Sequence, residues 1–234
     1  MKPAIARQSE REGSGLFDAF IEAVQLNGRV GEHAGLLSIQ NVGTLKVGAQ
    51  TVPWFRTAAP PETSLGDYLR SEDAPPMAWR QALGLGRDLA KTLAFLHERG
   101  VLHLNVQPDC VYFSQQGALL GGLQFARRHG GQAAFEGSPS YTAPEQWGER
   151  SLDGRTDIYA LGVVLYYALT CVICFHGEMI REKHLYYDPD PPSVYAEGIP
   201  EQVSKIVLRC LAKKRQARYQ SAAELVGDLE AALL

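Results

Sequence analysis

Apolar residues recur at roughly helical spacing over 15–27, at Leu16, Phe17, Phe20, Val24 and Leu26, and Gly28 follows as a stop signal. Residues 1–14 show no such period and read as a flexible tail. The pattern then predicts two strands, 36–46 and 50–58, joined at a Gly-containing turn. The breaker segment 59–63 precedes a short helix over 64–70, with Ser64 as its cap and Asp67 in its first turn. A longer helix is predicted over 77–99, ended by Gly100. Strand-like pieces follow in VLHL, CVYF and ALLGGL, then a Gly-rich loop and an uncharged run over 158–175. After a Pro-rich connection at 188–200, two amphipathic helices close the chain, in 201–214 and 221–233. The order is a small mixed part, then a large and mostly helical one.

The uncharged run is 18 residues long, at the lower edge of what crosses a bilayer. It holds three tyrosines, and no basic cluster flanks it. A helix that is apolar all round also suits the centre of a soluble core, and that reading is preferred over a membrane span. The net charge of -3 excludes a fold-wide basic footprint for nucleic acid. Cys110, Cys171, Cys174 and Cys210 are too few for a disulfide scaffold. With no signal peptide read at the start, they suggest reduced thiols and a cytoplasmic location. Cys171 and Cys174 form a C-x-x-C, but zinc sites of that kind need a second pair.

Four blocks carry chemistry: VLHLNVQPDCVYF (101–113), GSPSYTAPEQ (137–146), TDIYALGVVLYYALT (156–170) and LRCLAKKRQARYQSAAEL (208–225). In this order and spacing they resemble the C-terminal lobe of bacterial-type Ser/Thr protein kinases. The resemblance implies an α+β, protein-kinase-like fold. A complete, mostly helical large lobe would occupy 63–234, and a reduced N-terminal lobe of one helix and about two strands 15–62. It makes 158–175 the buried central helix, anchored near Asp157, and pairs Glu145 with Arg218. His103 and Leu123 are further structural positions of the family.

Kinase chemistry needs a base, a cation and two metal ligands at fixed places. The family loop H-R-D-L-x-x-x-N reads here His103-Leu104-Asn105-Val106-Gln107-Pro108-Asp109-Cys110. Asn105 at the base position cannot take a proton at neutral pH. Gln107 replaces a lysine, Leu104 the arginine that senses activation-loop phosphorylation, and Cys110 a metal-binding asparagine. Aligning Phe125-Ala126-Arg127 with the family's usual I-A-R places Gly122, Leu123 and Gln124 on D-F-G. No Asp occurs between Asp109 and Asp153, so the second metal ligand is missing in any nearby frame. The chain holds no G-x-G-x-x-G; GLG at 84–86 lies within a helix pattern. Lys2 and Lys46 are the only lysines before the lobe junction, and Glu22 is a candidate for the helix glutamate. Ala58, Ala59, Pro60 and Pro61 fall on the adenine-binding hinge, and Pro60 has no N–H to donate. Tyr112 is either an ordinary core aromatic or a filler of the adenine pocket.

The resemblance thus implies a pseudokinase, a protein-binding scaffold or regulator without ATP or Mg²⁺. Its expected partner is a protein or a second copy of the chain, met at the reduced lobe. There Leu36, Leu37, Ile39, Val42, Val52, Trp54 and Phe55 lie near an unpaired strand edge. The alternative is a degenerate kinase or other ATP-using transferase, working through Glu136, His129 or Asp109. A fragment or decaying gene product is opposed by the intact large-lobe core.

Overall fold

The computed structural model describes residues 26, 30–37, 39–48, 50–58, 60–72, 74–130, 138–148 and 151–234. The tail over 1–14, Glu22 and nearly all of the helix expected over 15–27 lie outside the described residues.

Strands β1 (Ile39–Val47) and β2 (Gln50–Thr57) form an antiparallel hairpin, with Val47 opposite Gln50 and a bulge between Ile39 and Asn41. Gly48 turns the chain at φ +61°, a conformation side chains resist. Successive side chains of a strand alternate faces. Leu45, Val52 and Trp54 therefore share one face, and all three are exposed, at 60%, 40% and 43%. The Trp54 ring lies across Gly43, which has no side chain to hinder it.

Leu36 and Leu37 correct the strand expected over 36–46. They are buried rather than near the hairpin's open edge. Leu37 N–H donates to the Leu120 carbonyl at 3.0 Å, and Leu120 N–H to the Gly35 carbonyl at 2.8 Å. Leu36 joins the large core and Leu37 is buried beside Tyr112 over Gly121.

Helix α1 (Leu65–Arg70) starts as expected. Ser64 Oγ accepts from Asp67 N–H, and Asp67 accepts from Ser64 N–H, each at 3.0 Å. Helix α2 (Trp79–Glu98) buries the stripe Leu85, Leu89, Leu93 and Leu96. Gly86, inside GLG, lets α2 approach the next long helix: a Cβ there would stand 2.8 Å from Leu165 Cδ2. Short pairs follow: β3 (Val101–Leu102) with β6 (Arg127–Arg128), and β4 (Val111–Ser114) with β5 (Gly117–Leu120).

The uncharged run forms α3 (Gly154–Thr170), capped by Asp153 and buried along nearly its whole length. It starts earlier and stops sooner than 158–175. Cys171 ends it at φ +54°, so Cys171 and Cys174 belong to the following loop. Among the described residues no helix is long and apolar enough to cross a membrane. Helix α4 (Ile180–Tyr186) was not expected from the sequence. Helices α5 (Glu201–Cys210) and α6 (Ala222–Leu233) are the two closing helices, α5 shorter than the 201–214 pattern. Gly162 of α3 sits against α5, where a Cβ would stand 2.6 Å from Cys210 Cβ.

Candidate functional site

The loop 103–110 is fastened from below by Asp157, which α3 carries in its first turn. The fully buried carboxylate accepts from His103 N–H at 2.9 Å and Leu104 N–H at 2.8 Å, and meets His97 Nε2 at 2.8 Å. Burial alone would raise its pKa; the His97 contact and the backbone donors outweigh it and bring it down. The loop they hold is strained: Leu104 has φ +59°, in the left-handed region.

His103 locks the other side. Its Nδ1 accepts from Asn105 N–H at 3.2 Å, so the proton sits on Nε2, which donates to the Gly121 carbonyl at 2.8 Å. Burial pulls the imidazole pKa down and keeps the ring neutral, as this pattern requires.

The substituted positions meet one another. Asn105 Nδ2 donates to Cys110 Sγ at 3.3 Å, and Gln107 Nε2 reaches the same sulfur at 3.8 Å. Gly122 stands beside them at φ +86°. A Cβ on it would lie 2.6 Å from Cys110 Sγ and 2.9 Å from Asn105 Nδ2. A side chain there would have to displace the Cys110 sulfur and the Asn105 amide. Burial pushes the Cys110 thiol up to about 11, so it stays protonated at neutral pH. A buried neutral thiol and two amides suit Mg²⁺ poorly, since that ion takes hard, anionic oxygen ligands. The cavity next to Asn105, lined also by Tyr141 and Asp157, is about 10 Å³, room for about one water.

The hinge and pocket positions are also placed. Ala58 is half-buried and Pro60 exposed, while Ala59 lies outside the described residues. Tyr112 bridges to Ser64 through its backbone, and its ring packs beside Leu37 over Gly121. Lys46 is exposed near the hairpin turn. Leu123 is in the core. Of the alternative catalytic groups, Asp109 is in a surface ion pair with Arg70 at 2.6 Å, His129 is exposed, and Glu136 lies outside the described residues.

Glu145 and Arg218 form a two-pronged pair at 2.7 and 2.9 Å. Thr156 Oγ1 donates to the same carboxylate at 2.9 Å, and Arg218 also donates to the carbonyls of Ala212, Lys213 and Arg155. Every remaining donor is thus used, which a buried pair requires. His97 and Thr156 complete these clusters and were missed in the sequence. A histidine in the last turn of a helix has a ready explanation in the helix dipole, and nothing nearby marks a buried carboxylate as its partner.

A family model described as the protein kinase domain matches residues 54–228, beginning inside β2. The serine/threonine-protein kinase PknB of Mycobacterium tuberculosis is 31% identical over 208 residues, 84% of this chain and 33% of its own length. The serine/threonine-protein kinase Pkn1 of Myxococcus xanthus is 28% identical over 233 residues, 93% of this chain and 32% of its own. A probable serine/threonine-protein kinase of Clostridium perfringens, CPE1738, is 30% identical over 176 residues, 71% of this chain and 25% of its own. The chain spans about a third or less of the length of these curated relatives.

Proposed function

We propose that this chain, which belongs to the protein kinase domain family, is a catalytically inactive member that works by binding protein. The observation that carries the reading is the packing of Asn105, Gln107 and Cys110 with Gly122. These positions would supply the base, the cation and both metal ligands. Instead they hold a neutral network that a carboxylate at residue 122 would have to displace. What remains intact is the frame of His103, Asp157, Glu145 and Arg218, which fixes shape rather than chemistry.

The reading divides the chain into a reduced small lobe, 15–62, and a large lobe, 63–234. It assigns the binding role to the hairpin face of Leu45, Val52 and Trp54. Exposed apolar groups clustered on one sheet face suit a protein partner. A partner protein is the occupant favoured; a second copy is resolved by light scattering. Four unpaired thiols fit a reducing compartment such as the cytoplasm.

Thermal unfolding with and without ATP and Mg²⁺ tests the first part. A ligand at about a hundred times its Kd adds about 2.7 kcal/mol of apparent stability. The expected result is no rise in Tm at millimolar nucleotide; a saturable rise contradicts it. A pull-down from native extract tests the second part. Trp54→Glu is expected to abolish capture, and capture unaffected by that change rejects this surface.

A further inference from the structure

A second cavity, of about 470 Å³, opens on the large lobe between the turn Pro144–Trp147, helix α4 and residues 213–216. Its size is that of a ligand site. Arg181, Lys213, Lys214 and Arg215 line it, with Trp147 and Tyr186 as aromatic walls. The acidic residue among its described lining is Glu145, whose carboxylate is already taken by Arg218 and Thr156. Four cations therefore converge in a chain whose net charge is -3.

Most of these cations have no carboxylate partner among the described residues. Among the described residues, neither Arg181 nor Lys214 is in an ion pair, and both are exposed. Lys213 donates to the Lys183 carbonyl at 3.2 Å and lies 4.1 Å from the centre of the Phe175 ring. Its half-buried ammonium has Asp188 within electrostatic reach but, among the described residues, no carboxylate in contact, and burial draws its pKa down to about 8. Arg215 is paired with Asp153 at 2.7 Å, which holds its guanidinium in place. Like charges gathered in this way raise a positive local potential that favours an anion.

We propose that this cavity binds a phosphorylated Ser or Thr side chain presented by a peptide segment of a partner protein. A phosphomonoester brings close to two negative charges and three acceptor oxygens, which matches an arginine fork beside ammonium groups. A free phosphate ion would leave most of the cavity empty. Leu185, Trp147 and Tyr186 give the residues flanking the phosphate an apolar wall. The site lies on the large lobe, so the proposal stands apart from the reading of the Asn105 loop and from the hairpin surface.

The test is fluorescence anisotropy with a labelled, degenerate phosphoserine and phosphothreonine peptide pool, beside its unphosphorylated counterpart. Inorganic phosphate and AMP serve as competitors. The variants are Arg181→Gln with Lys214→Gln, and separately Lys213→Met; circular dichroism checks that each folds. The expected result is saturable binding of the phosphorylated pool alone, weakened at least about tenfold in the double variant and also reduced in Lys213→Met. Equal binding of both pools, no saturable binding, or binding unchanged in the double variant overturns the proposal. So does tighter binding of AMP than of the peptides, which makes this a nucleotide site. Binding of inorganic phosphate without peptide marks an adventitious ion only, and overturns it equally.

Discussion

Arg218 is 1% exposed, yet its guanidinium finds a bidentate carboxylate and three backbone carbonyls. Removing one partner of such a pair leaves the other charge buried and uncompensated, which costs about 3–5 kcal/mol. Arg218→Met is therefore expected to lower the unfolding free energy measured in urea by that much, and Glu145→Gln in the same chain to recover part of it. An exposed pair would instead lose no more than about 1 kcal/mol. Gly122 makes an opposite kind of demand. Its φ of +86° and the sulfur 2.6 Å from a would-be Cβ mean that Gly122→Ala strains the backbone and displaces Cys110 together. The expected loss is about 1–3 kcal/mol in equilibrium unfolding, with no gain of nucleotide binding. Asn105, Gln107 and Cys110 were legible because motif spacing alone assigns them. That their side chains bond to one another was not legible, since it depends on how the loop closes on Gly122.

Among the elements, α3 was the most legible, because a run without charge leaves a soluble helix nowhere to go but the core. Helix α4 was illegible for the converse reason. It is seven residues long, has no side-chain cap at Met179, and is set off from the end of the uncharged run only by His176, Gly177 and Glu178. What fixes it is tertiary: His184 is buried between α3 and the loop after it, with Nδ1 2.9 Å from Tyr159 Oη and its ring stacked edge-on to Phe175. Burial, aided by the Lys213 charge, lowers the His184 pKa from 6.5 to about 4. The unfolded chain then takes up a proton near pH 6.5 that the folded chain refuses until about pH 4. Stability falls as pH drops through that window, by roughly 2–3 kcal/mol from this group. His103, also held neutral, adds the same sign. Urea unfolding at steps between pH 7 and 4 is expected to show this slope, and His184→Gln to flatten it while leaving the His103 share. A slope unchanged by the substitution contradicts the burial of a neutral His184. The hairpin was legible as a hairpin, but Leu36 and Leu37 were not legible as guests of β5. Strand patterning tells a face, not which sheet will supply it.

At the scale of the molecule, two features diverge. The large lobe keeps the groups that hold its shape: the Asp157 and His103 fastenings, the Glu145–Arg218 pair, and glycines at the α2–α3 and α3–α5 contacts. The loop that would carry chemistry is packed into a neutral cluster. Polar site groups usually lower stability, and under the reading proposed above this fold does without them. The same contrast accounts for a chain with net charge -3 that gathers cations at one cavity and apolar side chains on one hairpin face. The measurement that bears most directly on this account is incorporation of labelled phosphate from ATP, with Mg²⁺, into the chain itself and into a generic protein substrate. Loss of a general base alone slows such a reaction about 10²–10⁴-fold, and the replaced metal ligands act on the same step. The account expects no incorporation above a heat-denatured control, and none gained by Asn105→Asp; time-dependent incorporation that Asn105→Ala abolishes contradicts it.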